Sequence, residues 1–167
     1  MSTAAQKPAS DGKRGFLRHT LATLAYRGGK AVRGAPAGFA EFRAGETTRT
    51  PGQILAHIGD LMDWALSMSR GKEEWHNSPA LPWEDGVHRF HAGMQALDDY
   101  LASDQPLAVT PERLFQGAMA DALTHVGQIN ILRRMAGAPV KGENYSRAEI
   151  VAGCVGPEQA VPKREFD

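Results

Sequence analysis

Cysteine, net charge and long apolar runs are all scarce in this chain. One cysteine in 167 residues excludes an intrachain disulfide framework and any zinc site built from several thiolates. The 19 Lys and Arg residues balance the 19 Asp and Glu residues, so net charge provides no general attraction to nucleic acid or to an acidic membrane surface. No apolar run approaches the roughly 18 residues that a membrane span needs. The composition therefore predicts a single-domain protein of the reducing cytoplasm, with no membrane partner.

The balance of charge conceals an asymmetry along the chain. Residues 1–33 hold seven Lys or Arg and one Asp, a net charge of +6, and residues 34–167 carry the compensating −6. An Arg-rich, acid-poor start is also typical of transit peptides, but its apolar residues follow the spacing of a bundle helix. We expect neutralisation by the rest of the bundle or by a dimer partner, with an anionic substrate as the alternative. A nucleic-acid role is disfavoured because no aromatic residues interleave with the basic ones.

Apolar residues recur at helical spacing in four segments, and no segment alternates convincingly as a strand. The predicted helices cover about 13–33, 51–70, 83–101 and 111–136. The second and fourth begin with a Thr cap followed by Pro, at Thr50 and Thr110. The sequence thus predicts an all-α four-helix bundle over residues 13–140, whose helix order need not be simple up-down-up-down. A disordered leader over residues 1–12 and a C-terminal arm over residues 141–167, with a short helix at 146–152, complete the prediction.

The fourth predicted helix carries polar groups in an otherwise apolar stripe. Asp121 and His125 are four residues apart, so both project from one face about one turn apart. Burying an unpaired carboxylate there would cost several kcal/mol, so a cation or an imidazolium must compensate it. His57 lies beside the apolar seam of the second helix and can meet this pair inside the bundle. The pattern allows two readings, a divalent metal site and a buried Asp–His hydrogen bond without metal.

Two stretches resemble the DinB/YfiT-like superfamily. The first, residues 121–139, reads DALTHVGQINILRRMAGAP and is similar to that family's last bundle helix, with its His-x-Gly-Gln signature and its Leu-Arg and Gly-x-Pro ending. The second, residues 49–64, reads RTPGQILAHIGDLMDW and is similar to the helix with the family's Leu-x-His-Ile ligand motif. The two stretches stand in the family's order, and the resemblance extends over roughly residues 14–140.

The resemblance implies a four-helix bundle, often dimeric, in which three side chains hold a divalent metal. The matching positions are His57, Asp121 and His125. The common family pattern has His at the position of Asp121, whereas members similar to mycothiol-dependent maleylpyruvate isomerase have a carboxylate there. Zn or Ni is the metal favoured, with Mn and Fe as alternatives. Other members are bacillithiol-transferase-type proteins, so the resemblance allows a low-molecular-weight thiol as a further cofactor.

The function expected from this resemblance is a metal-dependent transferase or hydrolase acting on a small molecule. The rival is a non-catalytic dimeric stress or interaction protein with a structural metal or a buried Asp–His pair. A fourth protein ligand, His91 or Asp60, would close such a structural site. A weaker third reading is a DNA-associated factor, which would need the basic N-terminal region exposed on one continuous face.

The remaining candidates carry weaker signals. Asp60 can orient His57 or belong to a solvated polar face, and the second is favoured. His91 flanks the seam of the third helix and is expected at the surface or at the boundary of the core. Gln128 can hydrogen-bond across the bundle or lie on the helix surface. The three tryptophans are expected to anchor core and loops, and the lone Cys154 is expected to be inert.

Overall fold

The computed structural model describes residues 9–166, and four long helical segments dominate this part of the chain. Helix α1 spans Ala9–Val32, α2 spans Pro51–Ser69 and α3 spans Trp83–Ala102. The fourth segment, at 111–135, is continuous but composite: α4 at Pro111–Leu114, a π-helical turn at Phe115–Met119, and α5 at Ala120–Met135. The prediction of an all-α fold with four long helices is confirmed for the described residues.

Short elements connect and follow these helices. A 3-10 turn at Phe39–Glu41 lies between α1 and α2, and a second one at Tyr145–Arg147 follows α5. Strands β1, Gly142–Glu143, and β2, Glu165–Phe166, pair antiparallel with Gly142 opposite Phe166. None of the helices in residues 9–166 has the length and apolarity to cross a membrane.

Helix order around the core differs from chain order. α1 packs mainly against α3 and α5, and α2 packs against the same two helices. Sequence neighbours α1 and α2 therefore lie across the core from each other. This arrangement places α2 beside α5, which is the pairing that the candidate site requires.

Local signals account for the ends of the helices. The side chain of Thr50 accepts a hydrogen bond from the backbone N–H of Gln53, whose own side chain accepts from the Thr50 N–H, so the predicted cap of α2 is a complete capping box. Thr110 caps α4 in the same way through the N–H of Arg113. Gly71 and Gly137 follow α2 and α5 with φ near +75°, the left-handed conformation that ends a helix.

Apolar stripes from the four segments meet in one core. The predicted seam of α3 is confirmed, because four of its five apolar residues are buried and Val87 packs partly buried against them. The buried seam residues are Phe90, Met94, Leu97 and Leu101. Phe90 packs directly onto Gly28 of α1, where a Cβ would overlap the aromatic ring. Gly28 therefore allows α1 and α3 to approach closely.

Two basic residues of α1 pair with buried carboxylates of the same chain. Arg18 forms a bidentate pair with the buried Asp98 of α3, at 2.9 and 3.0 Å. Lys30 lies 2.8 Å from the carboxylate of Glu143, which is fully buried. These contacts neutralise part of the basic charge of α1 within the chain, as one of the expectations from the sequence had it.

The C-terminal arm folds back over α1 instead of forming the predicted helix at 146–152. Only Tyr145–Arg147 make a single 3-10 turn, and Ala148 is extended. Seven residues are too few to hold a helix without tertiary support. The arm instead gains its order from contacts with the helices, notably the hydrogen bond between Tyr26 and Glu143 at 2.7 Å. The predicted leader lies mostly outside the described residues, and α1 begins within it at Ala9.

Candidate metal centre

Helices α2 and α5 bring His57, Asp121 and His125 together. Nε2 of His57 lies 3.4 Å from Oδ2 of Asp121, and Nε2 of His125 lies 3.4 Å from Oδ1 of the same carboxylate. The two imidazole rings are nearly perpendicular, with centroids 4.6 Å apart. Asp121 thus stands between two histidines contributed by different helices.

The spacing of these donor atoms fits a divalent metal ion. One ligand atom from each residue lies within 4.8 Å of the others. Ligands at zinc–nitrogen and zinc–oxygen bond lengths in a tetrahedral site stand about 3.3–3.6 Å apart, close to the carboxylate–imidazole distances here. Two imidazoles and one carboxylate also suit Ni, Fe and Mn. The residues present can therefore hold such an ion with little movement of their side chains.

Gln128 orients His125. Its Oε1 lies 2.9 Å from Nδ1 of His125, so Nδ1 carries the proton and donates it to the amide oxygen. Nε2 is then the unprotonated nitrogen, and it is the atom that faces Asp121. Gln128 is exposed on the helix surface, as one of its two readings from the sequence had it, but neither reading included this contact between residues three apart on one helix. Ligand histidines are commonly oriented by such a partner on the other ring nitrogen.

The environment of His57 favours its neutral form. Burial lowers the pKa of His57, and the neighbouring charges of His125 and Arg49 lower it further, outweighing the opposite effect of Asp121. Only neutral imidazole has a lone pair to offer a metal. His57 is therefore in the protonation state that binding requires.

Asp121 is less buried than its place in the apolar stripe predicts. Its side chain is 46% exposed. It lines an open cavity of about 440 Å³ together with Trp64 and with Gln116 and Gly117 of the π-helical turn. The small residue at Gly117 and the widened turn leave this space beside the carboxylate. The carboxylate is thus accessible to a small molecule, and its burial alone does not demand a cation.

Trp75 is a residue of the site that the sequence did not reveal. Its ring packs edge-on against His57 with centroids 5.6 Å apart, and against Trp64 at 5.8 Å. The expectation of simple core and loop anchors holds for Trp83, which packs against Phe39. Trp64 also packs against the core, as expected, and together with Trp75 it forms an aromatic wall beside the centre. Trp75 lies in a loop, where no helical or strand periodicity predicts which residues its ring contacts.

Asp60 and His91 do not close the site. Asp60 is buried, contrary to expectation, and its two oxygens accept from Arg89 at 2.7 Å and from the backbone N–H of Ser78 at 2.9 Å. His91 is also buried, and its Nδ1 lies 3.0 Å from the carbonyl oxygen of Val155 in the C-terminal arm. Arg89 comes from α3, Ser78 from a loop and Val155 from the C-terminal arm, and the periodicity of a single helix cannot indicate such partners.

The other candidate residues lie apart from the centre. His19, His76 and His88 are exposed. Cys154 is exposed as well, in the C-terminal arm. Among residues 9–166, one group of three His, Cys, Asp or Glu side chains is close enough to share a metal ion, and it consists of His57, Asp121 and His125.

Comparison of the chain with protein-family models, with curated proteins and with solved structures gave no match.

Proposed function

We propose that the protein is a divalent-metal-binding enzyme of the DinB/YfiT-like kind, a transferase or hydrolase acting on a small molecule. The observation that carries the proposal is the convergence of His57, Asp121 and His125 from two helices at metal-ligand spacing. The order and sequence context of these residues, with Gln128 behind His125, are those on which the resemblance rests. The expected homodimer belongs to the same proposal.

The three residues would hold the ion through Nε2 of each histidine and a carboxylate oxygen of Asp121. An ion bound there supplies Lewis acidity and lowers the pKa of a coordinated water or thiol. Gln128 keeps Nε2 of His125 directed at the site. Trp64 and Trp75 shield one side of it and leave Asp121 open to solvent.

Access to the centre supports an enzyme over a structural metal site. Asp60 and His91 are the residues that would complete a closed set of ligands, and both are engaged elsewhere. Cavities of about 440 and 250 Å³ adjoin Asp121 and His57 respectively. If a thiol takes part, it comes from a bound small molecule, since the lone Cys154 is not in this cluster.

The test is a metal-dependence screen with two reaction classes. Protein loaded with Zn or Ni and protein treated with chelator are assayed for thiol addition to a chromogenic electrophile and for hydrolysis of activated esters and amides. We expect one class to be accelerated by metal-loaded wild type and lost in Asp121→Asn, whose amide still fits the space but is a much weaker ligand. Stoichiometric metal with no turnover in either class would favour the non-catalytic rival.

A further inference from the structure

A polar cavity of about 250 Å³ opens beside His57, away from Asp121. The side chains that line it include Arg49, Gln53, Asn77 and the acidic Asp60. Both oxygens of Asp60 already accept hydrogen bonds, one from Arg89 and the other from the Ser78 N–H. The remaining polar groups decide which ligand the cavity suits.

Those groups present donors. Oε1 of Gln53 already accepts from the Thr50 N–H at 2.9 Å, and Oδ1 of Asn77 accepts from Nε1 of Trp75 at 3.1 Å. Each amide oxygen thus already accepts one hydrogen bond, and the two amide NH2 groups are the free donors of these side chains. Arg49 adds a planar, permanently charged set of N–H donors that forms no ion pair among the described residues. Donors from three side chains around one small cavity suit an anion.

An apolar groove begins on the other side of Arg49. This groove, of about 330 Å³, is lined by Arg49, Gln128, Leu132 and Met135, with Ile54, Ile131, Ala44 and Thr48. Ile131 and Met135 are 63% and 56% exposed, one turn apart on α5. Exposed apolar side chains rimmed by polar ones are typical of ligand or partner surfaces. Arg49 and Gln128 connect the groove to the candidate centre, since Gln128 holds His125.

We infer that the substrate is a small organic carboxylate with an apolar portion. Its carboxylate binds Arg49 and the amide groups of Gln53 and Asn77, and its hydrocarbon part lies along Ile131 and Met135. A carboxylate matches the fork of the Arg49 guanidinium, and Asp60, the acidic side chain of the lining, is paired with Arg89. The inference rests on the proposed function in calling this ligand a substrate, but the binding site itself requires no metal.

Binding of two matched probes to metal-free protein tests the inference. Hexanoate and hexan-1-ol are titrated near neutral pH into chelator-treated protein while the Met135 methyl and the Asn77 side-chain amide are followed by NMR. The buried methyl of Met62 is the internal reference. We expect hexanoate to shift both reporters and to bind at least about threefold more tightly than the alcohol. Equal affinity of the two probes, no binding, or shifts at neither reporter would overturn the inference.

Three variants identify the anion site. Arg49→Gln and Asn77→Asp should each weaken hexanoate by about threefold or more and leave hexan-1-ol unchanged, whereas Arg70→Gln, at the opposite end of α2, should change neither. Asn77→Asp retains the acceptor for Trp75, so its effect reports the lost NH2 group and the added charge. Hexanoate affinity that is unaffected by Arg49→Gln would contradict the inference. A Met135 shift that depends on protein concentration would also contradict it, because the groove would then be a contact between copies of the chain.

Metal content separates this inference from the proposed function. Arg49→Gln should still bind metal at the wild-type stoichiometry, because Arg49 is not among the proposed ligands. Protein that binds no metal but discriminates hexanoate from hexan-1-ol through Arg49 would refute the proposed function and retain the anion site. Protein that binds metal but does not discriminate hexanoate from hexan-1-ol would refute the anion site and leave the proposed function standing.

Discussion

At the scale of single residues, Gln128 decides which nitrogen of His125 is available. Its hydrogen bond at 2.9 Å holds the proton on Nδ1 and directs Nε2 toward Asp121. An imidazole ring without this partner can rotate and can carry its proton on either nitrogen. Ordering the ring would then weaken metal binding.

Gln128→Leu should therefore weaken metal binding by about 10- to 100-fold, as loss of such partners commonly does. Gln128→Glu retains the acceptor and should bind at least as tightly as wild type. Competition against a chelating dye measures both affinities. Equal affinity of Gln128→Leu and wild type would show that His125 needs no such orientation.

Asp60 is a second residue whose role depends on contacts outside its own helix. Burial alone would raise the pKa of Asp60, but hydrogen bonds from Ser78 and Arg89 outweigh it and hold the pKa below the ordinary value of 3.8. Gly59 makes room for this contact, because a Cβ there would meet the guanidinium of Arg89 at 2.6 Å. The ion pair joins α2 to α3, and the hydrogen bond from Ser78 fastens the loop that carries Trp75 to α2.

Asp60→Asn should lower the free energy of unfolding by about 1–3 kcal/mol near neutral pH. Because the pKa is depressed in the folded protein, the stabilisation by the carboxylate is complete above pH 3.8 and declines as the pH falls further. Urea unfolding at neutral pH and near pH 3 measures the difference. A gap between wild type and variant that widens in acid would contradict this account.

At the scale of elements, the contact between α1 and α3 depends on the missing side chain of Gly28. The ring of Phe90 occupies the space that a Cβ would take, whereas a Cβ at Gly15, in the same helix, would meet nothing within 4 Å. The two glycines are thus a matched pair in one helix, one crowded and one open.

Gly28→Ala should destabilise the protein by about 1–3 kcal/mol, because either Phe90 or the helix must move. Gly15→Ala should be neutral or stabilise it by up to about 1 kcal/mol, because alanine is the better helix former. Thermal and denaturant unfolding of both variants give the comparison. Similar effects of the two substitutions would mean that the close approach of the helices is not what Gly28 provides.

At the scale of the whole molecule, the C-terminal arm is part of the folded unit. Glu143 lies buried between Tyr26 and Lys30 of α1, and His91 of α3 is covered by Val155. Burial and the hydrogen bond to Glu143 raise the pKa of Tyr26, so its hydroxyl stays protonated and remains a donor. The arm thereby contacts both α1 and α3.

Glu143→Gln should cost about 1–3 kcal/mol of unfolding free energy, because it leaves Lys30 with only part of its compensation in a buried site. Glu149→Gln is the control, since Glu149 pairs with Lys163 on the exposed surface and its loss should leave stability unchanged within measurement error. Chemical unfolding of the two variants measures both values. An effect of Glu149→Gln as large as that of Glu143→Gln would mean that burial of the pair is unimportant.

The contrast between helices and arm shows what the sequence could predict. Caps such as Thr50 and the apolar stripes are local signals, so the four helices and the meeting of His57 with Asp121 could be expected from spacing. The bond between His91 and Val155 and the contact of Trp75 with His57 join segments with no shared period. Their partners become visible only when loops and arm are folded onto the helices.

Metal stoichiometry tests the central claim most directly. Purified wild type and the variants His57→Ala, His125→Ala and His76→Ala are incubated with Zn or Ni, separated from free ion and subjected to elemental analysis, with circular dichroism confirming that each is folded. We expect about one ion per chain in wild type and in His76→Ala, whose histidine is exposed, and a large loss in the other two. Wild type that retains no more metal than His57→Ala and His125→Ala would contradict the account.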